Sequence, residues 1–267
     1  MKNALWYLIV ILALFSACKT EFETVRTSGD ANKMYEKANA LYEEEEYNKA
    51  ITLYELIIPA YRGKSEAEEL YFNYANAHYL NRSFILSSHY FKTFTDTYTT
   101  SDRREEALFL RAMSHFRLSP KFKLDQAETQ KAIESFQQYA NSYPDSDRII
   151  ACNEKIEELR KKLEMKAYDA GKMYFNTRNY SSSIQSLQNM LKDFPDSDLV
   201  EDARFLIAKS SINHAHQSVF TRQKERYEQT VEYCDAYLKR HSSGSHSEEI
   251  VKYKNESLNE LNKIENG

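Results

Sequence analysis

A small residue returns at Ala38, Ala75, Ala112, Gly171 and Ala208, in steps of 37, 37, 59 and 37. An interval of this size marks a chain built from repeated supersecondary units. One helix pair cannot cover its own apolar face, so such units must stack on copies of themselves. The clearest copy is Lys166–Asp198. Ala170, Gly171 and Tyr174 mark its first helix, Asn179-Tyr180 turns the chain, and Ser183, Ile184, Leu187 and Met190 mark the second. Pro195 stops that helix.

The second helices keep one register. Ala50, Ser87, Ala132, Ser183 and Thr230 are small or short; four residues later come Tyr54, Phe91, Phe136, Leu187 and Cys234. Three further on come Ile57, Phe94, Tyr139, Met190 and Tyr237. Spacing of i, i+4, i+7 is one helix face, and the small residue lets the partner helix approach. A turn aromatic precedes at Tyr47, Phe84, Tyr180 and Tyr227, with Thr129 in the third unit. Gly is 5 and Pro is 4 in 267 residues, and β-branched runs do not alternate with Asn-Gly or Asp-Gly turns. The class is all-α.

Two departures set boundaries. Extra residues fall between the helices of the third unit, near Ser119–Asp125, and of the fifth, within His216–Arg226. Tyr143-Pro144-Asp145-Ser146-Asp147 ends the third unit and Phe194-Pro195-Asp196-Ser197-Asp198 ends the fourth, each a Pro stop followed by Asp/Ser caps. Asp147–Phe175 holds no breaker but Gly171, which predicts one long helix between units three and four. Ser247–Ile264, with Ile250, Tyr253, Leu258 and Leu261 on a thin apolar face, predicts a helix that caps the stack. The expected segments are 1–17, 18–30, 31–145, 146–246 and 247–267.

Ahead of the repeats, Lys2 and the apolar run Ala4–Phe15 have the length and charge of a signal peptide rather than of a membrane span. The run ends Leu14-Phe15-Ser16-Ala17-Cys18, which resembles the lipobox of bacterial lipoproteins, with Phe15 where that pattern prefers an aliphatic residue. The resemblance implies cleavage before Cys18 and a covalent diacylglycerol and acyl chain on it; no other cofactor is expected. At about 0.8 kcal/mol per buried CH₂, more than one chain anchors stably. Lys19, rather than Asp, follows the Cys and favours the outer membrane. Lys19–Asp30 shows no helical stripe and reads as a tether, with Ser28 or Asp30 capping the first helix. An oxidising compartment permits a Cys152–Cys234 bridge, although Cys234 sits at a core register position.

The net charge is −4, or −5 once Lys2 is removed, so no basic field for nucleic acid exists. No Gly-rich phosphate loop, nucleophile elbow or HExxH occurs, and no catalytic residue is assigned. His214 and His216 lie two apart and point to different helix faces, a poor metal site. His78 and His115 read as core histidines, and Glu43–Glu46 as a solvated helix end.

Small residue, aromatic turn, Ala, large apolar residue and Pro in this order resemble the tetratricopeptide repeat, with a longer period than its usual 34. The resemblance implies an α-solenoid of about five helix pairs whose first helices line a groove. Tyr35, Phe72 and Phe109, three before the small residues, and Tyr42, Tyr79 and Phe116, four after, then form an aromatic face; Tyr168, Phe205, Phe175 and Ile212 continue the two rows. Asn39 and Asn76 lie between the rings. Two readings stand: the rings pack between overlong helices, or they and the amides read an extended peptide.

Lipobox, repeat number, insert, long helix and length together resemble the BamD family, tetratricopeptide lipoproteins of the outer-membrane β-barrel assembly machinery. That resemblance implies a non-enzymatic scaffold anchored through Cys18 on the periplasmic face of the outer membrane. Its partners would be the central barrel-forming subunit, through its periplasmic domains, accessory lipoproteins and unfolded outer-membrane protein peptides. The alternative is another tetratricopeptide envelope lipoprotein that coordinates the cell envelope through protein–protein contacts.

Overall fold

The computed structural model describes residues 21–266, and those residues form twelve helices and no strand. They are α1 Glu21–Arg26, α2 Ala31–Glu43, α3 Tyr47–Tyr61, α4 Ala67–Leu80, α5 Phe84–Thr97, α6 Arg104–Leu118, α7 Ala127–Ser142, α8 Ile149–Asn176, α9 Tyr180–Asp193, α10 Val200–His216, α11 Phe220–Leu238 and α12 Ser247–Asn266. The signal segment and Cys18 lie outside the described residues.

The repeat register sets the packing. Ala38, Ala75, Ala112, Gly171 and Ala208 are all buried, as are Ala50, Ser87, Ala132, Ser183 and Thr230 in the partner helices. The large residues that follow (Tyr54, Phe91, Phe136, Leu187, Cys234) are fully buried too. Small side chains let two helices close, and the large ones four and seven residues on fill the seam beside them. The core is therefore a series of clusters. One joins α2, α3 and α4, another α4, α5 and α6, another α8, α9 and α10, and another α10, α11 and α12.

The chain divides into two compact units, each a stack of hairpins, so the fold is an all-α solenoid of helix pairs. The first unit runs to Ser119 and resumes over Ala127–Lys155; the second takes Pro120–Gln126 and everything from Ile156 onward. The long helix predicted over Asp147–Phe175 is α8, 28 residues without a break. The division falls within it. The insert after Ser119 is a loop pinned by Gln126, whose Nε2 donates to the carbonyls of Lys121 and Leu124, each at 3.0 Å. Lys166 Nζ on α8 donates to Leu124 O at 2.6 Å.

One local expectation is resolved between its two candidates, and several others need correction. Asp30 is the cap of α2, accepting from Asn32 N and Lys33 N at 3.1 and 3.2 Å. The stretch read as a tether without a helical stripe carries α1, whose Phe22 and Val25 pack against the first core cluster. Six residues are too few to show a period. The extra residues of the fifth unit do not form a loop: they lengthen α11, which starts seven residues before Tyr227. On α12 the buried line is Ile250 and Ser257, with Tyr253 and Leu261 half-buried, while Leu258 is exposed because it lies a quarter-turn off that line. Cys152 and Cys234 are both buried free thiols, not a bridge.

Candidate functional site

The eight aromatic and amide positions lie on three first helices of the first unit. Tyr35, Asn39 and Tyr42 are on α2, Phe72, Asn76 and Tyr79 on α4, and Phe109 and Phe116 on α6. Phe72 is buried and the other seven are half-buried. Each ring leans on the second helix of its own pair. Tyr35 meets Tyr61 at 5.0 Å between centroids, Tyr42 meets Tyr47 at 5.8 Å, and Tyr79 meets Phe84 at 5.6 Å. Phe72 sits edge-on to Phe91 and Phe94, and Phe109 to Phe136 and Tyr139; Phe116 shares Phe136. Edge-to-face pairs of this kind stabilise by about 0.5–1.5 kcal/mol beyond burial. Packing is thus one role of these rings. Tyr79 also borders an open cavity of about 350 Å³, with Leu80, Arg82, Phe84 and Arg117.

Three of the rings also have a cation close by. Arg103 lies 5.1 Å from the Phe72 centroid, Arg148 4.6 Å from Phe109 and Lys155 4.5 Å from Phe116. Sequence reading missed these residues, although a signal was there. Ser101-Asp102-Arg103 and Ser146-Asp147-Arg148 are the same three residues, each just ahead of the next first helix. The Ser hydroxyl accepts from the Arg backbone N–H, at 3.0 and 3.3 Å. That turn aims the guanidinium back over the preceding repeat's ring.

The amides are partly engaged within the fold. Asn39 Oδ1 accepts from the Tyr54 hydroxyl at 2.6 Å, and Asn76 Nδ2 donates to the Tyr42 hydroxyl at 2.6 Å. A primary amide has two N–H donors and a carbonyl with two lone pairs, so each retains further capacity. Tyr35 donates to Glu69 at 3.2 Å, and burial raises the pKa of Tyr35 and Tyr42, which keeps both as neutral donors and acceptors. In the second unit the two rows serve packing: Tyr168 and Phe175 join the α8–α10 cluster, Phe205 stacks on His246 at 3.9 Å, and Ile212 is buried.

Of the histidines, His78 is a core residue with neither ring nitrogen partnered. His115 departs from the core expectation: its Nδ1 pairs with Glu128 at 2.9 Å across α6 and α7. His216 pairs with Glu256 at 3.1 Å, and burial lowers the His214 pKa, with the Arg226 charge adding to it. Among the described residues no cluster of His, Cys, Asp or Glu could hold a metal ion, and no helix is long and apolar enough to cross a membrane.

A family model described as YfiO, outer membrane lipoprotein, matches residues 27–229. Among solved structures, the complex of the TPR2AB domain of yeast Sti1 with pHSP90 is similar at 16% identity and a TM-score of 0.40, covering 85% of this chain and 98% of that one. No curated protein matches the sequence.

Proposed function

The chain belongs to the YfiO family of outer membrane lipoproteins, and from that membership we propose that it is a non-enzymatic scaffold of the β-barrel assembly machinery. In this reading Cys18 carries a diacylglycerol and an acyl chain that hold the protein on the periplasmic face of the outer membrane. The hairpin stacks hold the central barrel-forming subunit through its periplasmic domains, alongside accessory lipoproteins, and assist folding and insertion of outer-membrane proteins. The observation that carries this is the family match across most of the chain, on a body made of stacked helix pairs. Such stacks present side-chain surfaces rather than a reactive centre.

Unfolded outer-membrane protein peptides are the proposed ligands of the aromatic face on α2, α4 and α6. Rings held edge-on by their own hairpins lose little entropy when a peptide lies across them. The half-buried Tyr42 and Tyr79, with the cavity beside Tyr79, support that reading. Gently solubilised membranes should yield the protein in a complex with a barrel-forming subunit, and Cys18→Ala should remove it from the outer-membrane fraction. Recovery of the native protein as a lone monomer would overturn the scaffold reading. Separately, Tyr42→Ala with Tyr79→Ala should weaken binding of β-barrel-derived peptides at least tenfold with helicity retained; unchanged affinity would leave these rings with packing alone.

A further inference from the structure

On the side of α6 away from Phe109 and Phe116, a groove of about 490 Å³ opens between α5 and α7. Arg111 and His115 come from α6, Lys92 from α5, and Glu128, Lys131, Gln138 and the exposed Glu134 from α7, so the three cations outnumber the two carboxylates. Most of these charges are already matched. Lys92 pairs with Asp96 at 2.6 Å, and Glu128 takes both Lys131 at 2.7 Å and His115 at 2.9 Å.

Arg111 is not matched. Its Nη1 donates to Gln138 Oε1 at 3.0 Å, a neutral acceptor, and its Nε is buried with no partner. Among the described residues it makes no ion pair with a carboxylate. Burial pushes its pKa down, opposed by the more distant charge of Asp96. A guanidinium offers five N–H donors in a planar fork that fits a carboxylate at two points. Leaving such a group half-desolvated without its partner is costly, and an incoming carboxylate would remove that cost. Arg104, Arg160 and Arg204 also have an unpartnered Nε; Arg111 is distinguished by opening into a groove.

The rim identifies the kind of carboxylate. Ile85 stands at the edge of the groove with 70% of its surface exposed, and Leu118 lies near it, half-buried. A free dicarboxylate would leave both uncovered, whereas a polypeptide can place an apolar side chain there. We propose that this groove binds an acidic segment of a partner polypeptide, with one Asp or Glu carboxylate closing a two-point pair on Arg111 and an apolar neighbour covering Ile85. The site is separate from the aromatic face and does not depend on it.

The test uses the full mature chain and a fluorescein-labelled peptide of alternating Glu and Leu, with a Gln-for-Glu copy and succinate as comparisons. The Glu peptide should bind, more weakly at high salt, and the Gln copy at least tenfold more weakly. Arg111→Gln should lower affinity at least tenfold and Arg111→Lys less so, while Arg62→Gln, exposed and outside both the groove and the cavity beside Tyr79, should change nothing. Ile85→Glu, a surface change that leaves the core alone, should weaken the Glu peptide as well and covers the case in which Arg111→Gln misfolds. Equal binding of both peptides, no effect of Arg111→Gln in a folded protein, or binding of succinate without the peptide would each overturn the proposal.

Discussion

Three turns show how single residues close a hairpin here. Glu45, Arg82 and Arg178 have φ near +60°, in the left-handed region, at the same place in units one, two and four. The following N–H reaches back to the carbonyl of Leu41, His78 or Tyr174 at 2.8–2.9 Å, while the left-handed residue's own N–H bonds the carbonyl of Tyr42, Tyr79 or Phe175. That double return is a Schellman motif, usually built on Gly. His78, whose carbonyl serves one of these turns, is itself an unusual core group. It lies 4.7 Å from Tyr74 and 5.1 Å from Tyr90 between ring centroids, with no hydrogen bond on either nitrogen. Burial pushes its pKa down to about 4 from 6.5. The unfolded chain therefore binds the proton first, as pH falls below about 6.5, and stability declines from there toward pH 4, then levels off. We expect the urea midpoint of the native protein to fall between about pH 7.5 and pH 5, and His78→Phe to reduce that fall. Equal falls in both proteins would assign the pH dependence to other groups.

At the scale of the helix, the sharpest packing constraint is where α8 meets α9. A Cβ built on Gly171 would stand 2.5 Å from Leu187 Cγ and Cδ2, and Leu187 is fully buried and has nowhere to go. Ser183 Oγ also donates to Gly171 O at 2.9 Å, which fixes the approach of the two backbones. Gly171→Ala would gain about 1 kcal/mol of helix propensity but force an overpacked seam costing about 1–3 kcal/mol. The expected result is net destabilisation, seen as a lower melting temperature. Adding Leu187→Ala should then cost less than Leu187→Ala does in the native background; strict additivity would refute the clash. This seam was legible in the sequence because close helix approach demands a small residue at a fixed interval. Less legible were the polar ties across hairpins. Ser87 meets Ser114 at 3.1 Å and Ser183 meets Ser210 at 3.0 Å. Glu105 accepts from Tyr139 and Ser146, and Glu201 from Tyr237 and Ser245, which lowers both glutamate pKa values. The glutamates do stand seven residues before Ala112 and Ala208. Glu is common on solvated helix faces, however, so its position alone does not mark it as a joint. The cations over Phe72, Phe109 and Phe116 were hidden for a related reason: they come from the next repeat, and a periodic reading of one helix face does not see across that seam.

At the scale of the whole molecule, the core among the described residues is divided into clusters, each assembled from consecutive helices. In such a chain, stability is close to a sum of repeat and nearest-neighbour terms, and the ends need covers. The first unit has one at each end. Phe22 and Val25 of α1 cover the first cluster. At the far end, the start of α8 brings Cys152, fully buried, with Arg148 over Phe109 and Lys155 over Phe116. A fragment of residues 21–155 keeps both covers and should fold alone, with a helical far-ultraviolet spectrum and a cooperative thermal transition. Ending at residue 145 removes Ser146 from Glu105 and both cations from the rings. It also bares a surface that the second hairpin helix cannot cover. The shorter fragment should therefore melt lower and associate more readily, as read by calorimetry and sedimentation. If the two fragments behaved alike, the first seven residues of α8 would have no part in closing the first unit, and the sequence boundary at 145/146 would describe its folding better than the contact boundary after Lys155.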